Sequence, residues 1–206
     1  MKSLKKIILL IAFVATSLTL PAKTDVNDVM SRTVNALTSK GSLSASFNIY
    51  TDTANKTQGQ IKVNGKKYLF TSAVNNVIFN GKTQWNIDKQ TKEVNIYQPD
   101  NDEIAQTNPF AIISAYKTAY KSKLLSSSSS SYKVELTPTS NAQSLKKVVV
   151  TINAASMLPT KVVMTLTDGN TLQIDITDIK TGVNISSSNF VFKKSSYPGY
   201  EIVDLR

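Results

Sequence analysis

A chain of 206 residues with no cysteine and no histidine excludes disulfides, thiolate nucleophiles, thiolate-built zinc or iron–sulfur sites, and every imidazole base, ligand or pH switch. Lys+Arg number 24 against 14 Asp+Glu, and the excess is almost all lysine because arginine occurs only at Arg32 and Arg206. With 18% charged residues and much Ser, Thr, Asn, Val and Ile, the composition fits a β-rich exported domain and excludes a disordered or collagenous chain.

Lys2, Lys5 and Lys6 precede an apolar run, Ile7–Leu20, broken only by Thr16, Ser17 and Thr19, and Leu20-Pro21-Ala22 ends it on a small residue. That is the three-part pattern of a secretory leader, too short and too abruptly polar afterwards for a membrane span. Residues 1–22 are therefore expected to be a signal peptide and residues 23–206 one domain, acting outside the cytoplasm.

Thr24 or Asp25 offers a cap for a helix whose apolar stripe is Val26, Val29, Met30, Val34 and Leu37, with Gly41 as its stop. Alternation then begins, with Leu43, Ala45, Phe47 and Ile49 on one parity. Ile61 and Val63, Tyr68–Phe70, Val77–Phe79, Trp85 and Ile87, and Val94 and Ile96 continue it as an antiparallel meander. Asn80-Gly81 predicts a two-residue hairpin turn. Gln98–Thr107 reads as polar loop, and Asn108-Pro109 opens a second helix carrying Phe110, Ile112, Ile113, Tyr116, Ala119 and Tyr120. Ser126–Ser131 reads as a flexible loop. Strands resume at Tyr132/Val134/Leu136, Val148/Val150/Ile152, Val162/Met164/Leu166 and Leu172/Ile174/Ile176. Phe190–Phe192 and Ile202-Val203 read as short closing strands.

Catalysis finds no support in these residues. Asp175 and Asp178, three apart on a strand, are expected on opposite faces. Asp100-Asn101-Asp102-Glu103 begins like a calcium loop, but the glycine position holds Ala105 and the closing acidic position Ala111. No phosphate-binding glycine loop occurs, and no metal or cofactor is expected. The lysine pairs at 66–67, 146–147 and 193–194 fit solvated strand edges, with attraction to an anionic membrane surface as the functional reading. The alternating apolar face is the informative feature. Phe47, Ile49, Ile61, Val63, Phe70, Phe79, Trp85, Ile87, Val94, Ile96, Met164, Leu166 and Ile174 suit either a packed core or a hollow half-barrel that holds lipid, and periodicity alone does not separate the two.

The order and spacing of several segments resemble the periplasmic outer-membrane lipoprotein carrier family. They are the opening amphipathic helix, Phe47, Gly59-Gln60-Ile61-Lys62-Val63 with Tyr68-Leu69-Phe70, Phe79–Trp85, Asn108-Pro109-Phe110, and the ending Phe190–Phe192 with Pro198–Asp204. The resemblance implies a mainly β fold with two or three helices, an incomplete antiparallel β-barrel (half-barrel) closed by a helical lid. Its acyl-chain cavity would be lined by Phe47, Ile49, Ile61, Val63, Phe70, Phe79, Trp85, Ile87, Ile96, Met164, Leu166 and Ile174. Its lid would present Met30, Val34, Leu37, Phe110 and Ile113. The family's latch arginine is replaced here by Asn64-Gly65-Lys66-Lys67, which leaves Lys66 or Lys67 as the latch candidate, without the planar fork of arginine. The implied role is a monomeric, non-catalytic carrier that takes acylated lipoproteins from an inner-membrane ABC transporter towards an outer-membrane acceptor. A lipid-binding sensor or envelope-adhesion domain on the same sheet would share the pattern. A two-carboxylate glycan hydrolase would require a carboxylate pair in an apolar cleft.

Overall fold

The computed structural model of the chain describes residues 24–52, 56–140 and 144–206; the leader expected at residues 1–22 lies outside the described residues. Helix α1, Val26–Thr38, is capped by the Asp25 carboxylate, which accepts from the Asn27 N–H. It buries Val29, Met30, Thr33 and Leu37, a three-four stripe. The buried Thr33 hydroxyl is satisfied within the helix by donating to the Val29 carbonyl at 2.9 Å.

The strands that follow are β1 Ser42–Thr51, β2 Thr57–Asn64, β3 Lys67–Ser72, β4 Asn75–Phe79, β5 Gln84–Asp88 and β6 Glu93–Tyr97. Three short helices interrupt them: α2 Asn101–Thr107, α3 Pro109–Ser114 and α4 Tyr116–Ala119. The chain then returns through β7 Tyr120–Ser127, β8 Ser131–Pro138, β9 Leu145–Asn153, β10 Pro159–Leu166, β11 Thr171–Thr181 and β12 Glu201–Asp204. All twelve lie in one sheet, ordered β12-β6-β5-β4-β3-β2-β1-β11-β10-β9-β8-β7. β1 joins the two halves by pairing with β2 on one side and β11 on the other. The sheet is not closed into a barrel, since β12 and β7 are its two edges. The fold is mainly β, with four α-helices among the described residues.

Several sequence expectations are corrected. Gln98–Thr107 is largely helix, because Asp100 and Glu103 form a capping box, each side chain holding the other's backbone N–H. The second expected helix is broken at Ala115, and Tyr120 already belongs to β7. The serine run is the β7–β8 hairpin: Ser128 N–H donates to the Ser131 carbonyl and Ser128 Oγ accepts from Ser131 N–H. The turn at Asn80-Gly81 spans four residues, Asn80 Oδ1 accepting from the Lys82 and Thr83 N–H groups at 2.9 and 2.8 Å. At the end of the chain Phe190 closes a 3₁₀ turn, Ser187–Phe190, and β12 joins β6 in parallel, so the meander is not wholly antiparallel.

Asp175 and Asp178 also depart from expectation. A register shift in the β1–β11 ladder pairs Asp175 with Asn48 and Asp178 with Ser46. Residues two apart on β1 share a face, so the irregularity puts both carboxylates on the same side. Each pairs with its own lysine: Asp175 with Lys161 at 3.0 Å and Asp178 with Lys180 at 3.4 Å.

Candidate functional site

The helices lie against one face of the sheet. Met30 and Leu37 of α1, Phe110, Ile112 and Ile113 of α3, and Tyr116 of α4 share one apolar cluster with residues from β1–β4 and β7–β11. Its middle is closely built. Phe47 of β1 and Phe70 of β3 stack at 5.9 Å between centroids, and both rings pass over Gly59 of β2. A Cβ at Gly59 would sit 2.7 Å from Phe47 Cε2 and 3.2 Å from Phe70 Cε2. Glycine is therefore required there by the close approach of the rings and not by its backbone angles.

Of the expected cavity residues, Phe47, Ile61, Phe70, Phe79, Met164 and Ile174 are buried in this cluster, with Ile49, Val63 and Leu166 packed against it. The expected helix residues Met30, Leu37, Phe110 and Ile113 are buried there, and Val34 is partly so. Trp85, Ile87 and Ile96, with Val94, are not on this face; they are corrected to the other. They belong to a second cluster with Leu69 and Ile78, covered by Phe192, Tyr197, Tyr200 and Ile202. The physical reason lies in β5 and β6, whose polarity is inverted relative to β1–β3. Gln84 and Asn86 face the helices while Trp85 and Ile87 face away. Parity identifies two faces but not which of them a helix covers.

That inversion gives the helix-covered face a polar margin. The buried Tyr68 hydroxyl donates to Gln84 Oε1 at 2.5 Å, and Gln84 Nε2 donates to the Tyr97 hydroxyl at 2.5 Å. Burial pushes the Tyr68 phenol well above its ordinary range, and burial aided by the Glu103 charge raises Tyr97. A void of about 250 Å³ lies beside them between Phe47, Phe70, Gln84, Asn86, Tyr97 and Pro109. Among the described residues, Asn86 Oδ1 is buried without a hydrogen-bond partner. Tyr68 could have been assigned to this face from its parity with Phe70; nothing in sequence marks Gln84 or Asn86 as facing inward.

A cavity lies at one end of the sheet, between the end of α1, helices α2 and α3, and the turns that join β2 to β3 and β4 to β5. It measures about 660 Å³. Leu37, Leu43, Val63, Phe79, Ile104 and Phe110 supply its apolar wall, and Lys66 and Lys82 stand among its lining residues. Both lysines are exposed. Of the two latch candidates, Lys66 reaches this cavity; Lys67 is exposed and does not line it. The acidic run at 100–103 serves structure: beyond the capping box, Asp102 accepts from Ser144 N–H at 3.0 Å and from the Ser144 hydroxyl, tying α2 to the start of β9.

The described residues thus form an open twelve-stranded sheet with helices along one apolar face and a cavity at its end. The chain belongs to the family of the outer membrane lipoprotein carrier protein LolA, whose family model matches residues 19–169. No curated protein matches its sequence. Among solved structures, it is similar to an uncharacterized conserved protein from Thermus thermophilus, with a TM-score of 0.58, 10% identity, and coverage of 86% of this chain and 98% of that one. A DUF1329 family protein from Desulfovibrio piger gives a TM-score of 0.50 at 11% identity over 84% of this chain and 100% of that one. A LolA superfamily protein from Nitrosomonas europaea gives 0.47 at 13% identity, covering 82% and 99% respectively. At such identities the likeness to the first two is one of fold.

Proposed function

We propose that the chain, once residues 1–22 are removed, is a single-domain, non-catalytic carrier that binds the acyl chains of lipoproteins and moves them through the periplasm from the inner to the outer membrane. The observation that carries this reading is the cavity of about 660 Å³ between α1, α3 and the end of the sheet, in a chain of the lipoprotein carrier family. A buried methylene contributes about 0.8 kcal/mol, so a sixteen-carbon chain contributes roughly 13 kcal/mol when fully buried. Such a chain does not cross water unaided.

Release is the harder half of a carrier's work. Met30, Leu37, Phe110 and Ile113 occupy the same apolar face that cargo would use. In this reading α1 and α3 are a lid that competes with acyl chains for that face, so loading exchanges one set of contacts for another and remains reversible. The cargo would come from an inner-membrane lipoprotein-releasing ABC transporter and pass to an outer-membrane acceptor.

The test is purification from the native envelope followed by mass spectrometry. Acylated lipoprotein recovered in stoichiometric amounts supports the carrier. Recovery of free lipid only, with no acylated protein, assigns the fold to lipid sensing and removes the carrier reading.

A further inference from the structure

The wall and the rim of the end cavity differ in chemistry, and the difference specifies a ligand. Its wall is mainly apolar, while among the described residues its lining includes two lysines, Lys66 and Lys82, and no aspartate or glutamate. Lys66 follows Gly65 (φ 57°) in the β2–β3 turn, and Lys82 follows Gly81 (φ 97°) in the β4–β5 turn. Each glycine takes the left-handed conformation that its turn requires, and each sets a lysine at the turn's tip. Only β3 and β4 separate β2 from β5 in the sheet, so the two turns stand on the order of 10 Å apart. Long flexible stems span that distance. Among the described residues neither lysine forms an ion pair. A low-dielectric wall beside unpaired positive charge strengthens attraction for an anion, and the lysine methylenes extend the apolar wall to the mouth. The volume falls within the roughly 300–1,000 Å³ usual for small-molecule sites.

We infer that this cavity takes an acyl chain that ends in an anionic group, carboxylate or phosphate, with the chain against Leu43, Val63, Phe79 and Phe110 and the anion held by Lys66 and Lys82. The inference rests on the reading of this cavity as an acyl site and goes beyond it: the acyl groups of a lipoprotein are esters and amides with no anionic end, so the further ligand assigned to the same cavity is a free fatty acid or an anionic lysophospholipid. A neutral amphiphile fills the same wall and leaves both ammonium groups without a partner.

The experiment measures binding of four probes to the delipidated protein below their micelle concentrations: palmitate, hexadecanol, palmitoyl-lysophosphatidylglycerol and palmitoyl-lysophosphatidylcholine. The anionic probe of each pair is expected to bind about tenfold or more tightly than its uncharged or zwitterionic partner, and high salt should shrink that advantage. The double variant Lys66→Gln/Lys82→Gln should lose the preference and keep its affinity for hexadecanol. Both positions are exposed, so the fold is expected to survive. A preference within the palmitate pair alone assigns a carboxylate, and within the lysophospholipid pair alone a phosphate. Equal affinities within both pairs, or a preference untouched by the double variant, overturn the inference while leaving an acyl cavity in place. Failure of all four probes to bind removes the acyl cavity and the inference together.

Discussion

Gly59 is the position where one methyl group decides the packing of the central sheet. Its missing Cβ leaves room for Phe47 and Phe70, and Gly59→Ala would put a methyl 2.7 Å from a ring carbon of Phe47. Both rings are buried within the main cluster, so relief requires moving a packed aromatic. The expected cost is about 1–3 kcal/mol, the range for overpacking a filled interior, measured as a lower urea midpoint at unchanged slope. A loss near zero would mean that the rings have room to shift. Asp52 supplies a pH test at the same scale. Its carboxylate accepts from the Thr171 hydroxyl and the Thr171 N–H, each at 2.6 Å, and these bonds hold its pKa below the ordinary carboxylate value. A depressed pKa means that the bonds stabilise the fold fully above the unfolded value of about 3.9 and cease to do so as pH falls through the folded one. A carboxyl-carbon NMR titration should therefore place Asp52 below an unbonded aspartate. Asp52→Asn should lower stability at neutral pH and converge with wild type in strong acid.

At the scale of elements, the short helix α2 depends on its ends. Seven residues form few backbone bonds, so its capping box matters more than propensity. Asp100→Ala is expected to cost about 0.5–2 kcal/mol and to accelerate amide exchange in Asn101–Thr107 before the sheet responds. Uniform acceleration across the protein would show that α2 is coupled to the global unfolding unit. That helix was legible: Asp-x-x-Glu before Ile104 is a helix-start signal, and comparison with a calcium loop obscured it. Helix α1, its cap, and the existence of most strands could be read from periodicity because alternation follows directly from the pleat. The facing of β5 and β6 could not. Both strands alternate as regularly as β1, and only the route of residues 183–200 across the far side tells which parity is covered by helices. The same limit hid Gln84 and the bulge that places Asp175 and Asp178 on one face. The end cavity was legible only in part, since Lys66 stood out in sequence and Lys82 enters through the length of the β4–β5 turn.

Across the whole molecule, the sheet carries an apolar cluster on each face, and the C-terminal segment covers the second one. Leaving β11, the chain is tied to β1 by Gly182 N–H donating to the Ser42 carbonyl at 2.8 Å and Ser42 Oγ donating to the Val183 carbonyl at 2.7 Å. Lys62 Nζ then holds Asn189 Oδ1 at 3.3 Å, and the segment ends by adding β12 beside β6. Between these anchors lies a run of rings: Trp85 with Phe192 at 5.9 Å, Phe192 with Tyr197 at 5.5 Å, and Tyr197 with Tyr200 at 5.4 Å. Trp85 is the chain's single tryptophan, so its fluorescence reports this cover alone. Phe192→Ala removes the ring stacked on Trp85 and lets water reach the indole. The emission maximum should move to longer wavelength, with about 0.5–1.5 kcal/mol lost from the ring pair beyond the area it buries. Because Trp85 faces away from the helices, lipoprotein binding should be retained in this variant under conditions where it stays folded. Loss of binding together with the spectral shift, in a folded protein, would instead mean that the C-terminal cover and the end cavity respond to one another through the sheet.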